Sequence, residues 1–167
     1  MNTPSHMLIL DYAMATPEIN EGIAYHFVHA GCIIDHRQFY PNLVRDDVTH
    51  YGIIALLAGR TPAFPSGMMS QQEAQPATEF VRNGGTLILA PNLEGGERAN
   101  ERHMFNRILA DLGVNIRICN DKVEDEEHNY AATLWERPFY RPVAEHPVGK
   151  GVTGYLAFER STSLVAG

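Results

Sequence analysis

Apolar residues run through this chain in two alternating rhythms. Short unbroken runs, MLIL at 7–10, IIALL at 53–57 and TLILA at 86–90, have almost no polar face to give to water. Such runs read as strands buried on both sides, the habit of parallel sheets. Between them the apolar positions fall three and four residues apart. Ile19, Ile23, Ala24, Phe27 and Val28 form one stripe, Ala77, Phe80 and Val81 a second, and Met104, Phe105, Ile108, Leu109 and Leu112 a third. Each stripe predicts an amphipathic helix, ending at Gly31, at Gly84-Gly85 and at Gly113, because a left-handed C-cap favours a residue without a Cβ.

The punctuation agrees. Thr16 is placed as an N-cap with Pro17 in the first helical position. Ser70-Gln71-Gln72-Glu73 reads as a capping box, so the second helix is expected to start at Ser70, with Pro76 kinking it or shifting its start. Cys32-Ile33-Ile34 is expected as a short strand, with Asp35-His36-Arg37 as its polar tail. Residues 39–51 read as a loop with one turn of helix, and 59–67 as an irregular Pro- and Gly-rich loop. At 114–118, Val114, Ile116 and Ile118 alternate with Asn115 and Arg117, the mark of a half-exposed fifth strand. Strand, helix, strand, helix in this order predicts an α/β fold: an open, mostly parallel sheet with helices on both faces.

Beyond Asn120 the periodicity fades. Residues 121–127 are strongly acidic and read as a solvated loop, with a metal site as the rival reading. Residues 135–147 are rich in proline and aromatics and read as an extended segment. Residues 154–160 and 163–165 read as a terminal hairpin or strand pair, and antiparallel pairing is expected of the C-terminal strands. The expectation is a single domain, 1–167, with its core at 6–118 and an irregular C-terminal extension at 119–167.

Composition narrows the function classes. At 167 residues the chain suits one domain, able to bury roughly 70% of its unfolded surface. A formal net charge of −7 argues against a nucleic-acid partner, which would require clustered Lys and Arg. No apolar run reaches the ~18 residues of a membrane helix, and the first residues lack the form of a signal peptide. A cytoplasmic chain with no membrane partner is the expectation, although a chain trimmed of its signal would read the same. Cys32 and Cys119 are expected as buried, reduced thiols.

Several segments together carry a resemblance: YGIIALLAG at 51–59, SQQE opening a helix, FVRNGGTLILAPN at 80–92 and FNRILADLGV at 105–114. They resemble the class I glutamine amidotransferase-like superfamily, and within it the non-catalytic branches such as the domain of an intraflagellar transport protein and of uncharacterised bacterial proteins. The likeness covers residues 6–118, with a weaker echo at His146-Pro147, and implies a flavodoxin-like winding. In the catalytic members, the strand after the paired glycines enters a tight elbow that bears a cysteine beside an oxyanion site. Here that stretch reads Leu89-Ala90-Pro91-Asn92-Leu93, without a thiol and with one backbone donor removed by Pro91. Cys32 and Cys119 lie a whole structural unit before and after it. Glutamine hydrolysis by the usual route is therefore not expected.

In an open parallel sheet, ligands gather at the carboxyl ends of the strands. That rule nominates Asp11, Tyr12, Arg60, Asn92, Glu94, Glu97 and Arg98 as crevice residues, a mixture suited to a small polar molecule or a carbohydrate. Ordinary loop polarity accounts for the same residues. His103 and His146 are the histidines expected near that edge. His26 and His29, spaced for one helix face, could in principle share a metal but read better as solvated surface, and His128 stands beside the acidic stretch. No glycine-rich turn follows the first strand and no phosphate-loop lysine is present, so no cofactor is expected. The leading expectation is a non-catalytic domain that binds a small polar ligand or a protein, including a second copy met through the aromatic surface of Trp135, Phe139, Tyr140 and Tyr155. The rivals are a sugar or ester hydrolase working through Asp11 and Glu94, and an accessory domain of a longer chain.

Overall fold

The computed structural model describes residues 5–12, 24–38, 42–57, 71–90, 99–119, 121, 123–129, 139–140, 156–157 and 163–166. Four strands, β1 (His6–Asp11), β2 (Ile33–Arg37), β3 (Ile53–Leu57) and β4 (Thr86–Ala90), form a wholly parallel sheet in the order β2-β1-β3-β4. The helical elements are α1 (24–29), α2 (Asp47–His50), α3 (Gln71–Arg82) and α4 (Ala99–Asp111). The expected α/β architecture is thus present, with the strand order of a flavodoxin-like doubly wound sheet.

Alternation along the strands assigns the two faces. Met7 and Ile9 of β1 join Ala55 and Leu57 of β3 in a cluster on which Ala24 and Phe27 of α1 pack. Leu8, Leu10, Ile54 and Leu56 therefore point to the other face, and all four are fully buried. On that side lie Ala74, Ala77 and Phe80 of α3, with Phe105 and Ile108 of α4, all at most 4% exposed. Each buried aliphatic side chain of this kind contributes roughly 1.5–3 kcal/mol, so the double-sided core of β1 and β3 is the main stabilising feature.

The helix ends follow the glycines. Gly84, with φ at +90°, donates its N–H to Val81, and Gly85 donates to Phe80 at 3.0 Å, which is a Schellman closure of α3. Gly31 and Cys32 close α1 in the same way, and Gly113 and Val114 close α4. Gly85 has a second reason to be glycine: a Cβ there would sit 2.3 Å from Cζ of Phe80, whose ring is itself buried.

Four expectations need correction. The polar residues Asp35, His36 and Arg37 are the body of β2 rather than its tail. Three of the five residues of this border strand are exposed, so polar side chains are tolerated there. Val28, expected on the apolar stripe of α1, is 55% exposed. The two C-terminal strands do not pair with each other: β7 (Leu156–Ala157) runs antiparallel to β6 (Phe139–Tyr140), and β8 (Leu164–Ala166) pairs with β5 (Ile116–Ile118). β5 accordingly sits in a separate two-stranded sheet rather than as a fifth strand of the main one. α3 runs from Gln71 to Arg82 with Pro76 inside it.

The chain divides into two compact units, one of residues 1–117 with 166–167, the other of 118–165. Within the second, Asp125 accepts the backbone N–H groups of Glu127 and His128 at 2.9 and 2.8 Å. These bonds, that of His128 first, hold the Asp125 carboxyl below its ordinary pKa. Asp121 accepts the backbone N–H of Ser163 at 2.9 Å as well as its hydroxyl. Part of the acidic stretch is therefore turn-forming and strand-tethering in its chemistry.

Candidate functional site at the carboxyl edge of the sheet

The strand order reverses direction between β1 and β3. That is the switch point at which an open α/β sheet leaves a crevice beyond its carboxyl ends. Asp11 closes β1 there, and the backbone N–H of Tyr12 donates to Leu57 at 2.9 Å, extending the β1–β3 ladder by one more residue.

The Asp11 side chain is fully buried. By alternation it shares the α1 face with Met7 and Ile9, and in the register His36 lies beside Ile9 on the neighbouring strand. Nε2 of His36 stands 3.5 Å from Oδ2 of Asp11, and Nε2 of Gln38 donates to the same oxygen at 3.3 Å. Among the described residues, the carboxylate is thus met by an imidazole and an amide from the end of β2. Both are missed by the sequence reading because β2 is expected to end at Ile34. Extending that strand by the length of an ordinary one would have placed His36 and Gln38 at the same edge as Asp11.

Tyr12 points the other way. Its hydroxyl donates to Oε1 of Glu73 at 2.6 Å, and the same oxygen accepts the backbone N–H of Leu43 at 3.1 Å. Tyr12 and Glu73 are 3% and 4% exposed. Burial raises the Tyr12 pKa far above its ordinary value of 10.0, and the charge of Glu73 and the hydrogen bond to it add to the shift. Glu73, nominated as half of a capping box, thereby also fastens α3 to β1 and to the 42–46 segment. Ser70, the other half, lies outside the described residues.

A second ion pair stands nearby on the same face as Tyr12. Arg37 makes a bidentate contact to Asp47, at 2.9 and 2.6 Å, and Asp47 also accepts the N–H of Val44 at 2.9 Å. Asp47 is 5% exposed, so this contact pins the short helix α2 against the sheet.

Of the nominated crevice residues, Asp11 and Tyr12 meet at this edge on opposite faces. Arg60, Asn92, Glu94, Glu97 and Arg98 lie outside the described residues, as do the Pro91 elbow, His146, Trp135 and Tyr155. His103 falls within α4. Cys32, half-buried, precedes β2 and so lies at the amino edge of the sheet, away from Asp11. His26 and His29 are exposed, and Tyr25 lies against the His29 ring at a centroid distance of 4.2 Å. Among the described residues, no three His, Cys, Asp or Glu side chains converge as metal ligands, and no helix is long and apolar enough to cross a membrane. Compared with protein-family models, curated proteins and solved structures, the chain matches none.

Proposed function

We propose that this chain is a non-catalytic amidotransferase-like domain that binds a small polar ligand, of carbohydrate or polyol type, at the carboxyl edge beside Asp11. The observation that carries the reading is the fully buried carboxylate at the end of β1, at the switch point of the sheet. Burying a carboxylate costs several kcal/mol of lost hydration, and an apolar residue there would serve the core better. A buried acid at the one edge where this architecture collects ligands is economically explained by recognition: a carboxylate there can accept hydrogen bonds from the hydroxyls of a ligand. The absence of a thiol in Leu89-Ala90-Pro91-Asn92-Leu93 favours binding over amide hydrolysis.

The test is a thermal-shift screen of sugars, polyols and small polar metabolites against the full chain and its Asp11→Asn variant. Native-state binding at a hundredfold excess over Kd adds about 2.7 kcal/mol of apparent stability. A compound that raises Tm in the parent and not in the variant supports the reading. A parent protein that gains no stability from any member, or equal gains in the variant, removes it.

A further inference from the structure

A groove of about 450 Å³ runs along the opposite face of β2, beneath α2, and its size is that of a small-molecule site. Its wall is rich in hydrogen-bond acceptors. Asp35 and Asp46 are both exposed, and among the described residues neither has a cation within ion-pair distance. Asp35 accepts the hydroxyl of Tyr51 at 2.7 Å, which leaves its remaining lone pairs available and draws the ring to the edge of the groove. The guanidinium of Arg37, which also lines it, is already matched in both charge and hydrogen bonds by Asp47.

His50 adds a further acceptor. Its Nδ1 lies 2.6 Å from the carbonyl oxygen of Asp46. A carbonyl has only lone pairs to offer, so Nδ1 carries the proton in that contact, and Nε2 is an acceptor whenever the ring is uncharged. Two carboxylates, an imidazole nitrogen and an aromatic ring therefore line a common groove with His6, and its one guanidinium, that of Arg37, is already paired with Asp47. That set is complementary to a cation with several N–H groups, which carboxylates bind through charge-assisted hydrogen bonds and a phenol ring through its face.

We propose that this groove is a binding site for a small organic cation, an alkylguanidinium or alkylamine. It is independent of the carboxyl-edge reading, since Asp11 belongs to the other face of the sheet.

The experiment is an NMR titration of the full chain with butylguanidinium, at low salt and pH 8, beside butylurea, which has the same shape and no charge. The expected result is saturable shifts at Asp35, His50 and Tyr51 with the cation and none with the urea. Asp35→Asn and Asp46→Asn, both at exposed positions, should each weaken binding at least tenfold, whereas Asp11→Asn should leave it within twofold. Equal shifts with butylurea, shifts that do not saturate, or affinities in both groove variants within twofold of the parent would overturn the proposal.

Discussion

Single residues carry much of the specificity of this fold. Gly85 is an example in which the substitution of one hydrogen by a methyl has a computable consequence, because the added carbon would stand 2.3 Å from a buried phenyl ring. Gly85→Ala should lower stability by about 1–3 kcal/mol, the usual cost of overpacking, read as a lower urea midpoint at unchanged m-value. Tyr12 makes a second prediction, on pH. Its folded pKa is raised, so the native state holds the phenol proton that the unfolded chain releases. The stability it confers is complete below its ordinary value of 10.0 and declines as pH climbs above it, by about 1.36 kcal/mol for each unit. Alkaline unfolding of the parent should therefore be steeper than that of Tyr12→Phe, measured by denaturant titration between pH 9 and 11. At neutral pH the same variant should cost about 1–3 kcal/mol, since Glu73 stays buried with one partner fewer.

At the scale of elements, the short helix α2 tests how far local propensity reaches. Four residues are too few to be helical alone, and isolated helices below about 12 residues are marginal. What holds it is the contact of Asp47 with Arg37 and with the N–H of Val44. Asp47→Ala should destabilise the fold by about 1–3 kcal/mol and, more specifically, accelerate hydrogen exchange of the amides at 47–51 before the sheet opens. Equal exchange rates in parent and variant would show that α2 is held by something else. The glycine-closed helices α3 and α4 were legible from spacing alone, because a left-handed terminus has a residue requirement that sequence displays openly. The extent of β2 was not. β2, with three of its five residues exposed, lacks the all-apolar signature that identified β1, β3 and β4, and its polar residues resemble a loop.

For the molecule as a whole, the two proposed sites occupy different places on the same parallel sheet. One lies at the carboxyl end of β1 and the other along the outer face of β2. A ligand at either should stabilise the whole first unit, but the variants separate them: Asp11→Asn should abolish thermal stabilisation by a polyol and leave the cation titration intact. A single variant that silenced both would indicate loss of fold rather than of recognition, and far-ultraviolet circular dichroism of that variant would decide.

Sequence alone determined the parallel α/β class, the spans of β3 and β4, the ends of three helices and Asp11 as the polar terminus of β1. These depend on local chemistry: burial on two faces forces unbroken apolar runs, and a helix closed by a left-handed residue calls for glycine. Only the tertiary structure decided that His36 and Gln38 meet Asp11, that Glu73 holds Tyr12 across 61 positions of chain, and that the last strands find partners other than each other. Those are pairings between segments distant in sequence, fixed by strand order and register, and no periodicity within one segment encodes its neighbour.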